Sequence, residues 1–536
     1  MTNLEIPLPI ERSKRYRFFE ILPGALSWSI LALPILLSQI NARLTVFFII
    51  AYLLLWFSKS IGLQLRAVQG YRLLRQHEKL PWAEMLQDIA NAKASENTKK
   101  FPNWHYDNIL RRQHMSDRLP VEDLLHAVII AAYNEADEII EPTIQSVLAS
   151  EFDMNKVMLI LAYEERGGED MHKRMQSLLD KYRSKFGYAI AFQHQKDIPN
   201  EVIGKGGNIT YAARELQKYL LAQNIDPLKV IVTTLDSDNR PDKNYLNCLT
   251  YLYALCEDPR YVSFQPVPMY TNNIWDAPAP MRVIATGNSF WMIVQGLRTH
   301  SLRNFSAHAQ GMKALIDTDF WSTRTIVEDG HQFWRTYFRY EGKHEVYPIF
   351  LPIYQDAVLS NTYVKTLKAQ FIQLRRWAWG ASDVAYVAEK GFFTPNKIPK
   401  IQLLFKFMRL LEGHVSWATA PLILAFAAFV PLLLHPKDYA ANQLPFIASR
   451  VQTIALAGIF VTLFFSWKTL PPKPKRYRAH RTIFMLLQWV YLPVTTIVYS
   501  SFSAINSQTR LMFKRYLGKF DVTDKAVITE DKKVIM

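Results

Sequence analysis

Asp236-Ser237-Asp238 directly follow the apolar run VIVTTL. Two carboxylates one residue apart, just past a buried strand, can hold a hard divalent cation. Mg²⁺ or Mn²⁺ takes such oxygen ligands and commonly keeps a substrate phosphate in its shell. The same triplet also makes ordinary turns and helix caps. Its position marks it, because open α/β sheets bind ligands at the carboxyl ends of their strands. Two more polar clusters stand at such ends. Tyr133-Asn134-Glu135 follows AVIIAA, and Tyr163-Glu164-Glu165-Arg166-Gly167-Gly168 follows VMLILA. Gly204-Lys205-Gly206-Gly207-Asn208 sets a lysine beside a Gly-rich turn that opens a helix. An anionic diphosphate can be met there. The P-loop spacing is absent, and a plain helix entry uses the same residues. Glu328-Asp329-Gly330 precedes the helical stretch HQFWRTYFRY. Acidic residues there cap a helix, and a catalytic base looks the same. Gln373-Leu374-Arg375-Arg376-Trp377 lies in the amphipathic segment FIQLRRWAWGASD. Arginine donors and indole faces suit sugars and phosphates, and they equally suit a helix lying at a membrane interface.

These clusters need a scaffold. From about 118 to 400, short apolar runs (127–132, 157–162, 188–193, 230–235) alternate with helical stretches such as 137–150 and 209–222. That alternation predicts a mainly parallel, Rossmann-like α/β sheet covered on both faces, with the polar clusters along one edge. The 536 residues allow two to four domain-sized units. Gly (19) and Pro (28) are unremarkable and form no biased tracts, which excludes collagen-like and disordered chains. Only Cys248 and Cys256 occur, so a disulfide framework and a cysteine-rich zinc site are excluded. Their spacing in a helical stretch reads as two core thiols in a reducing compartment.

The net charge of +16 admits nucleic acid or an anionic membrane face, and its distribution decides. Residues 21–40 carry no charge, and a second apolar run covers Leu44 to Phe57, a span of about 44–62 with its flanks. Each is long enough to cross a ~30 Å hydrocarbon layer, so the pair predicts a transmembrane hairpin. Arg12, Lys14, Arg15 and Arg17 precede it, and Lys59, Arg66, Arg72 and Arg75 follow. The positive-inside rule then places both flanks, and the α/β unit, in the cytoplasm. Further spans are expected at about 413–434 and 450–467, followed by a basic loop from Lys468 to Arg481. Segment 482–505 is long enough to span. Pro493 interrupts it and a basic tail follows, so a re-entrant or interfacial arrangement is favoured. The expected organisation is 1–117 (transmembrane hairpin and cytoplasmic linker), 118–400 (cytoplasmic domain) and 401–536 (membrane region with a cytoplasmic tail). Membrane flanks account for the positive charge, and nucleic acid is not needed.

In this order, the motifs resemble the membrane-integrated family 2 glycosyltransferases, the group of the cellulose and hyaluronan synthases. The resemblance covers about 115–400 well and the C-terminal region more thinly. It implies a GT-A type nucleotide-diphospho-sugar transferase fold flanked by transmembrane helices. It also implies an inverting hexosyltransferase at the cytoplasmic face of a plasma membrane, a bacterial inner membrane by the same resemblance. Tyr133, Asn134 and Glu135 look like the nucleotide-binding start, and Lys205 and Asn208 match Lys-x-x-Asn. Asp236 and Asp238 match the D-x-D metal site for Mg²⁺ or Mn²⁺. Glu328 and Asp329 match T-E-D with Val327 in place of Thr, which makes Asp329 the implied base. Gln373, Arg376 and Trp377 match Q-x-x-R-W, which contacts the diphosphate and, through Trp377, the acceptor. Phe520 to Lys525 fits F-x-V-T-x-K, with Thr523 and Lys525 over bound nucleotide. The usual Asp pair after the second strand is replaced by Glu164 and Glu165, so a UDP-sugar is favoured without being fixed. The implied partners are a nucleotide-sugar donor, a glycan or lipid-linked acceptor and the membrane. Transfer to a growing polysaccharide, transfer of one sugar to a lipid carrier, and an inactive scaffold subunit all remain open.

Overall fold

In the computed structural model of the chain, residues 3–116, 118–518 and 526 are described. The four expected strands form, each longer by one or two residues at an end. They are β1 (Leu125–Ala132), β2 (Val157–Glu164), β3 (Tyr188–His194) and β4 (Val230–Asp236). All pair in parallel, with β1 between β2 and β4 and β3 outside β2. Side chains alternate across the sheet as the pleat requires. Val128 and Ile130 of β1 pack with Ile140 and Ile144 on one face. Ala127 and Ile129 pack with Ile209 and Ala213 on the other. Each such buried isoleucine stabilises the fold by about 1.5–3 kcal/mol.

Four more strands complete the eight-stranded sheet: β5 (Arg240–Pro241), β6 (Val262–Met269), β7 (Ala309–Gly311) and β8 (Glu345–Tyr354). The order is β3-β2-β1-β4-β7-β6-β8-β5, and β7 joins β4 and β6 antiparallel. Strand β6 carries Pro266 and Pro268, and β8 carries Pro348 and Pro352. Proline cannot donate to a ladder, so these runs argue against strands on sequence alone. The register between β6 and β8 indeed shifts at Pro266/Val267.

Residues 78–116 do not form a free linker. Helices Trp82–Asn91 and Asn103–His114 join the same core, with His105 between Asp88 Oδ2 (3.2 Å) and the Tyr251 hydroxyl (2.9 Å). Cys248 and Cys256 are buried, and burial pushes both thiols up, Cys256 to about 12.

Among the described residues, five helices are long and apolar enough to cross a membrane: Lys14–Ile40, Ala42–His77, Lys400–Leu434, Tyr439–Thr469 and His480–Met512. All five exceed the apolar windows read from sequence, because helical hydrogen bonding continues past the apolar boundary. The second runs on to pack against helix Ala279–Gly296 at Gly70. A Cβ there would lie 2.4 Å from Ile293 Cγ2, so only glycine allows the approach. Residues 482–505, expected as a re-entrant or interfacial arrangement, lie within one helical run with a π segment, Thr495–Ser501, just after Pro493. Proline removes a helix hydrogen bond, and the wider turn absorbs the loss. Both ends of this run lie against the α/β unit. Arg481 donates to the Trp275 carbonyl (2.9 Å), and Leu511 packs with Ile326 and Trp379.

Candidate active site

Strands β1, β2 and β4 end at one edge, where Ala132 lies beside Tyr163 and Ala131 beside Asp236. The chain order reverses across β1, which opens a crevice between the β1 and β4 ends. Asp236 closes β4, and its N–H donates to Asn239 Oδ1 (2.9 Å). Asp238 Oδ2 accepts the Asp356 N–H (3.0 Å) and Oδ1 accepts from Asn239 Nδ2 (3.3 Å). The turn is therefore held by backbone and amide donors with both carboxylates at the crevice.

Lys205, the first residue of helix Lys205–Ala222, is buried and joins two of the sequence clusters. Its Nζ lies 2.9 Å from Asp236 Oδ1 and 3.6 Å from Asp329 Oδ1. Burial alone would depress this ammonium, but Asp236, Asp329 and Glu328 outweigh it and raise its pKa. Ser306 Oγ donates to the other Asp236 oxygen (2.6 Å). The glycines beside Lys205 serve close packing. A Cβ on Gly206 would lie 2.5 Å from the Ser322 carbonyl oxygen, and one on Gly207 would lie 2.8 Å from Glu201 Oε2. That close approach brings the Glu328-Asp329 turn against the head of the Lys205 helix.

Asp329 meets a residue that no spacing announced. His308 Nδ1 lies 3.5 Å from Asp329 Oδ1 and 3.0 Å from the Phe305 carbonyl oxygen. Trp321 Nε1–H donates to His308 Nε2 (3.1 Å), which assigns the imidazole proton to Nδ1. Burial lowers the His308 pKa, with Asp329 opposing in part, so the ring is neutral, its Nδ1–H donating to the Phe305 carbonyl with the Asp329 carboxylate beside it. Glu328 is buried beside Asp329, and burial followed by that neighbouring charge pushes it up to about 8.

A pH prediction follows from Glu328. Its folded pKa of about 8 lies above the ordinary 4.5, so the folded state holds a proton that the unfolded state releases. Stability from this group is present at acid pH and is lost as pH rises from about 4.5 to about 8. Glu328→Gln removes the titration. Its melting temperature, measured in detergent, is expected to fall less than that of the parent across this window. Parallel curves for the two proteins would refute the assignment.

Tyr270 connects this group to the Q-x-x-R-W helix, Tyr363–Ala378. Burial raises the Tyr270 phenol, and Asp236 and Asp238 raise it further while Arg376 opposes them. The Trp377 ring sits 6.2 Å from the Tyr270 ring, centroid to centroid. Gln373 Oε1 accepts from Gln370 Nε2 (3.0 Å) on the same helix.

A second cluster occupies the β1 and β2 ends. Glu164 is ion-paired with Arg166, whose guanidinium lies 5.3 Å from the Tyr133 ring centre. Glu135 Oε2 accepts the Tyr133 and Asn134 N–H groups (2.7 and 3.2 Å), so it shapes the turn itself. Asn208 is buried, and its amide donates to the Ala162 carbonyl (3.0 Å) with Ala132 at 3.4 Å, pinning the two strand ends. Glu165 Oε2 accepts the Lys196 N–H (3.0 Å). Asp236, Asp238, Arg376 and Trp377 thus gather around Tyr270, and Lys205 joins Asp236 to Asp329 and Glu328, while Tyr133 and Glu164 form a second cluster. Thr523 and Lys525 lie outside the described residues, and the Ala526 N–H donates to the Leu359 carbonyl (2.9 Å). Among the described residues, no group of three His, Cys, Asp or Glu side chains is arranged to hold a metal. Sequence reasoning missed Tyr270, Ser306, His308 and Trp321, all delivered by loops or strand ends distant in sequence.

No protein-family model matches the chain, and no curated protein matches it. Solved structures do. A mannosyltransferase from Pyrobaculum calidifontis, in complex with GDP-Man and Mn²⁺, is 12% identical with a TM-score of 0.37. That match covers 82% of this chain and 99% of the other. S. aureus TarS 1-349 in complex with UDP-GlcNAc is 13% identical with a TM-score of 0.36, covering 74% of this chain and 93% of that one. GalNAc-T7 with UDP, GalNAc and Mn²⁺ is 11% identical with a TM-score of 0.30, covering 54% and 55%.

Proposed function

We propose that this chain is a membrane-bound, inverting glycosyltransferase of GT-A type that moves a sugar from a nucleotide-sugar donor to a saccharide or lipid-linked acceptor. One observation carries the reading. Lys205 ties Asp236, at the end of β4, to Asp329, at the head of another helix, so the candidate metal carboxylates and the candidate base face one crevice. The donors suit a Mg²⁺ or Mn²⁺ ion: Asp236 and Asp238 offer hard oxygens, and their negative potential converges on Tyr270. Such an ion, held by Asp236 and Asp238, supplies charge neutralisation to a departing diphosphate.

The rest of the step belongs to the chain itself. The acceptor hydroxyl oxygen attacks the anomeric carbon, and the carbon–oxygen bond to the diphosphate breaks on the opposite face. Asp329 takes the hydroxyl proton, its carboxylate lying between Lys205 Nζ and the neutral His308 ring. Arg376 adds positive charge on the phosphate side, and Trp377 offers an indole face to the acceptor sugar. Tyr133 and the Glu164–Arg166 pair line the nucleoside end.

The test is nucleoside-diphosphate release by the detergent-purified protein from a panel of UDP-, GDP- and dTDP-sugars, with and without Mn²⁺. Release from one donor, abolished by Asp238→Ala or by chelation, is the expected result. Product length then separates polymer synthesis from transfer of one sugar to a lipid. No release from any donor, with acceptor lipid and glycan extracts supplied, overturns the enzyme in favour of an inactive subunit.

A further inference from the structure

The C-terminal end of helix His480–Met512 carries a cavity that the proposed reaction does not use. It has a volume of about 130 Å³ and is lined by Asn506, Thr509, Arg510, Phe513 and Arg515. The backbone builds it. Lys514 adopts a left-handed conformation (φ 57°), and the Arg515 N–H closes back onto the Arg510 carbonyl (2.8 Å). This turn ends the helix and folds Arg515 back towards Arg510, so two arginines five positions apart line one cavity.

Neither arginine is needed to cap the helix. Arg17, from the head of helix Lys14–Ile40, donates to the Leu511 (3.1 Å) and Met512 (2.9 Å) carbonyls. Arg510 Nε donates to Asn506 Oδ1 (3.1 Å), which fixes the guanidinium and leaves its terminal nitrogens for another acceptor. Among the described residues, no carboxylate forms an ion pair with Arg510 or Arg515.

The surroundings are those of a lipid. Thr509 accepts the indole N–H of Trp28 (3.0 Å), and Trp28 lies inside the uncharged segment 21–40. Trp28 is 49% exposed and Phe513 is 66% exposed, beside the two arginines. Aromatic rings with basic side chains at the edge of an apolar helix pair are the composition of a headgroup layer. A guanidinium at that depth is stabilised by an anion it can bind in bidentate fashion, and phosphate fits that geometry.

We propose that this cavity binds the phosphate of an anionic lipid headgroup, with Arg510 and Arg515 as its ligands and Trp28 and Phe513 against the lipid's apolar portion. The site is independent of the transfer reaction.

The test is native mass spectrometry of the full-length protein in detergent, titrated with phosphatidylglycerol or phosphatidylcholine. The wild-type chain is expected to retain phosphatidylglycerol in preference to phosphatidylcholine. Arg510→Gln/Arg515→Gln is expected to weaken that retention by about tenfold, equivalent to about 1.4 kcal/mol. Arg510→Lys/Arg515→Lys, which keeps the charge and guards against misfolding, is expected to lie between the two. Equal retention by wild type and the Gln variant at matched melting temperature would overturn the site. Displacement of the lipid by millimolar inorganic phosphate would assign the cavity to free phosphate and overturn the lipid.

Discussion

Asp329→Asn is expected to abolish sugar transfer and leave donor binding in place. The substitution keeps the volume and the side-chain oxygen that lies 3.5 Å from His308 Nδ1. What it removes is the capacity to take a proton from the acceptor hydroxyl. Removal of a positioned general base costs about 10²–10⁴-fold in turnover. Donor affinity, measured by calorimetry with the nucleoside diphosphate and Mn²⁺, is expected to change little, because Asp236 and Asp238 stay in place. A second readout comes from Glu328. Its proton is held up first by burial and next by the Asp329 charge. In the Asn variant the Glu328 carboxyl, followed by infrared difference spectroscopy, is therefore expected to titrate below about 8. Wild-type turnover would sink the base. Lost donor binding with an unshifted Glu328 would instead make Asp329 a residue of the nucleotide site.

The contrast between Asp329 and His308 shows what a sequence can and cannot state. Asp236, Asp238 and Asp329 were legible because carboxylates at a strand end or helix head stand out against apolar runs. Strands β1, β2 and β4 were legible for the same reason: buried in parallel on both faces, they read as largely apolar runs, while β3, the half-buried edge strand, keeps a shorter apolar stretch. Strands β6 and β8 were not, since their prolines break the pattern and are accommodated by a register shift in the pairing of the two strands. His308 has no local signature. It reaches Asp329 because β7 inserts between β4 and β6, and its tautomer is set by Trp321 from a third loop. The Gly206-Gly207 pair was visible, but its purpose was not. Only the Ser322 carbonyl and the Glu201 carboxylate, both brought in by the fold, show why a side chain is excluded. The apolar helices were legible as runs, while their true ends depend on what each helix meets beyond the apolar segment.

Lys205→Met is expected to disable the enzyme by a different route, and the route identifies what the lysine does. Methionine preserves most of the side-chain volume and deletes the charge. Asp236 and Asp329 then face each other, beside buried Glu328, with no cation between them. Breaking a fully buried pair costs about 3–5 kcal/mol, and water reaching the part-exposed Asp236 brings the cost here below that range. Melting in detergent without nucleotide is therefore expected to fall, together with turnover. The sign of the pH dependence is fixed. Loss of the ammonium removes the charge that holds the buried Glu328 carboxyl down, so the folded variant takes up protons and the melting deficit shrinks as pH is lowered. Adding Asp236→Asn to Lys205→Met removes one of the opposed charges and is expected to restore stability in part, without restoring transfer. A lysine that only gripped a donor phosphate would behave otherwise. Its loss would weaken donor binding and leave the nucleotide-free protein as stable as before. Unchanged melting in Lys205→Met would therefore reassign Lys205 from holding two carboxylates in register to binding substrate, and the crevice would lose the contact that joins its base to its metal ligands.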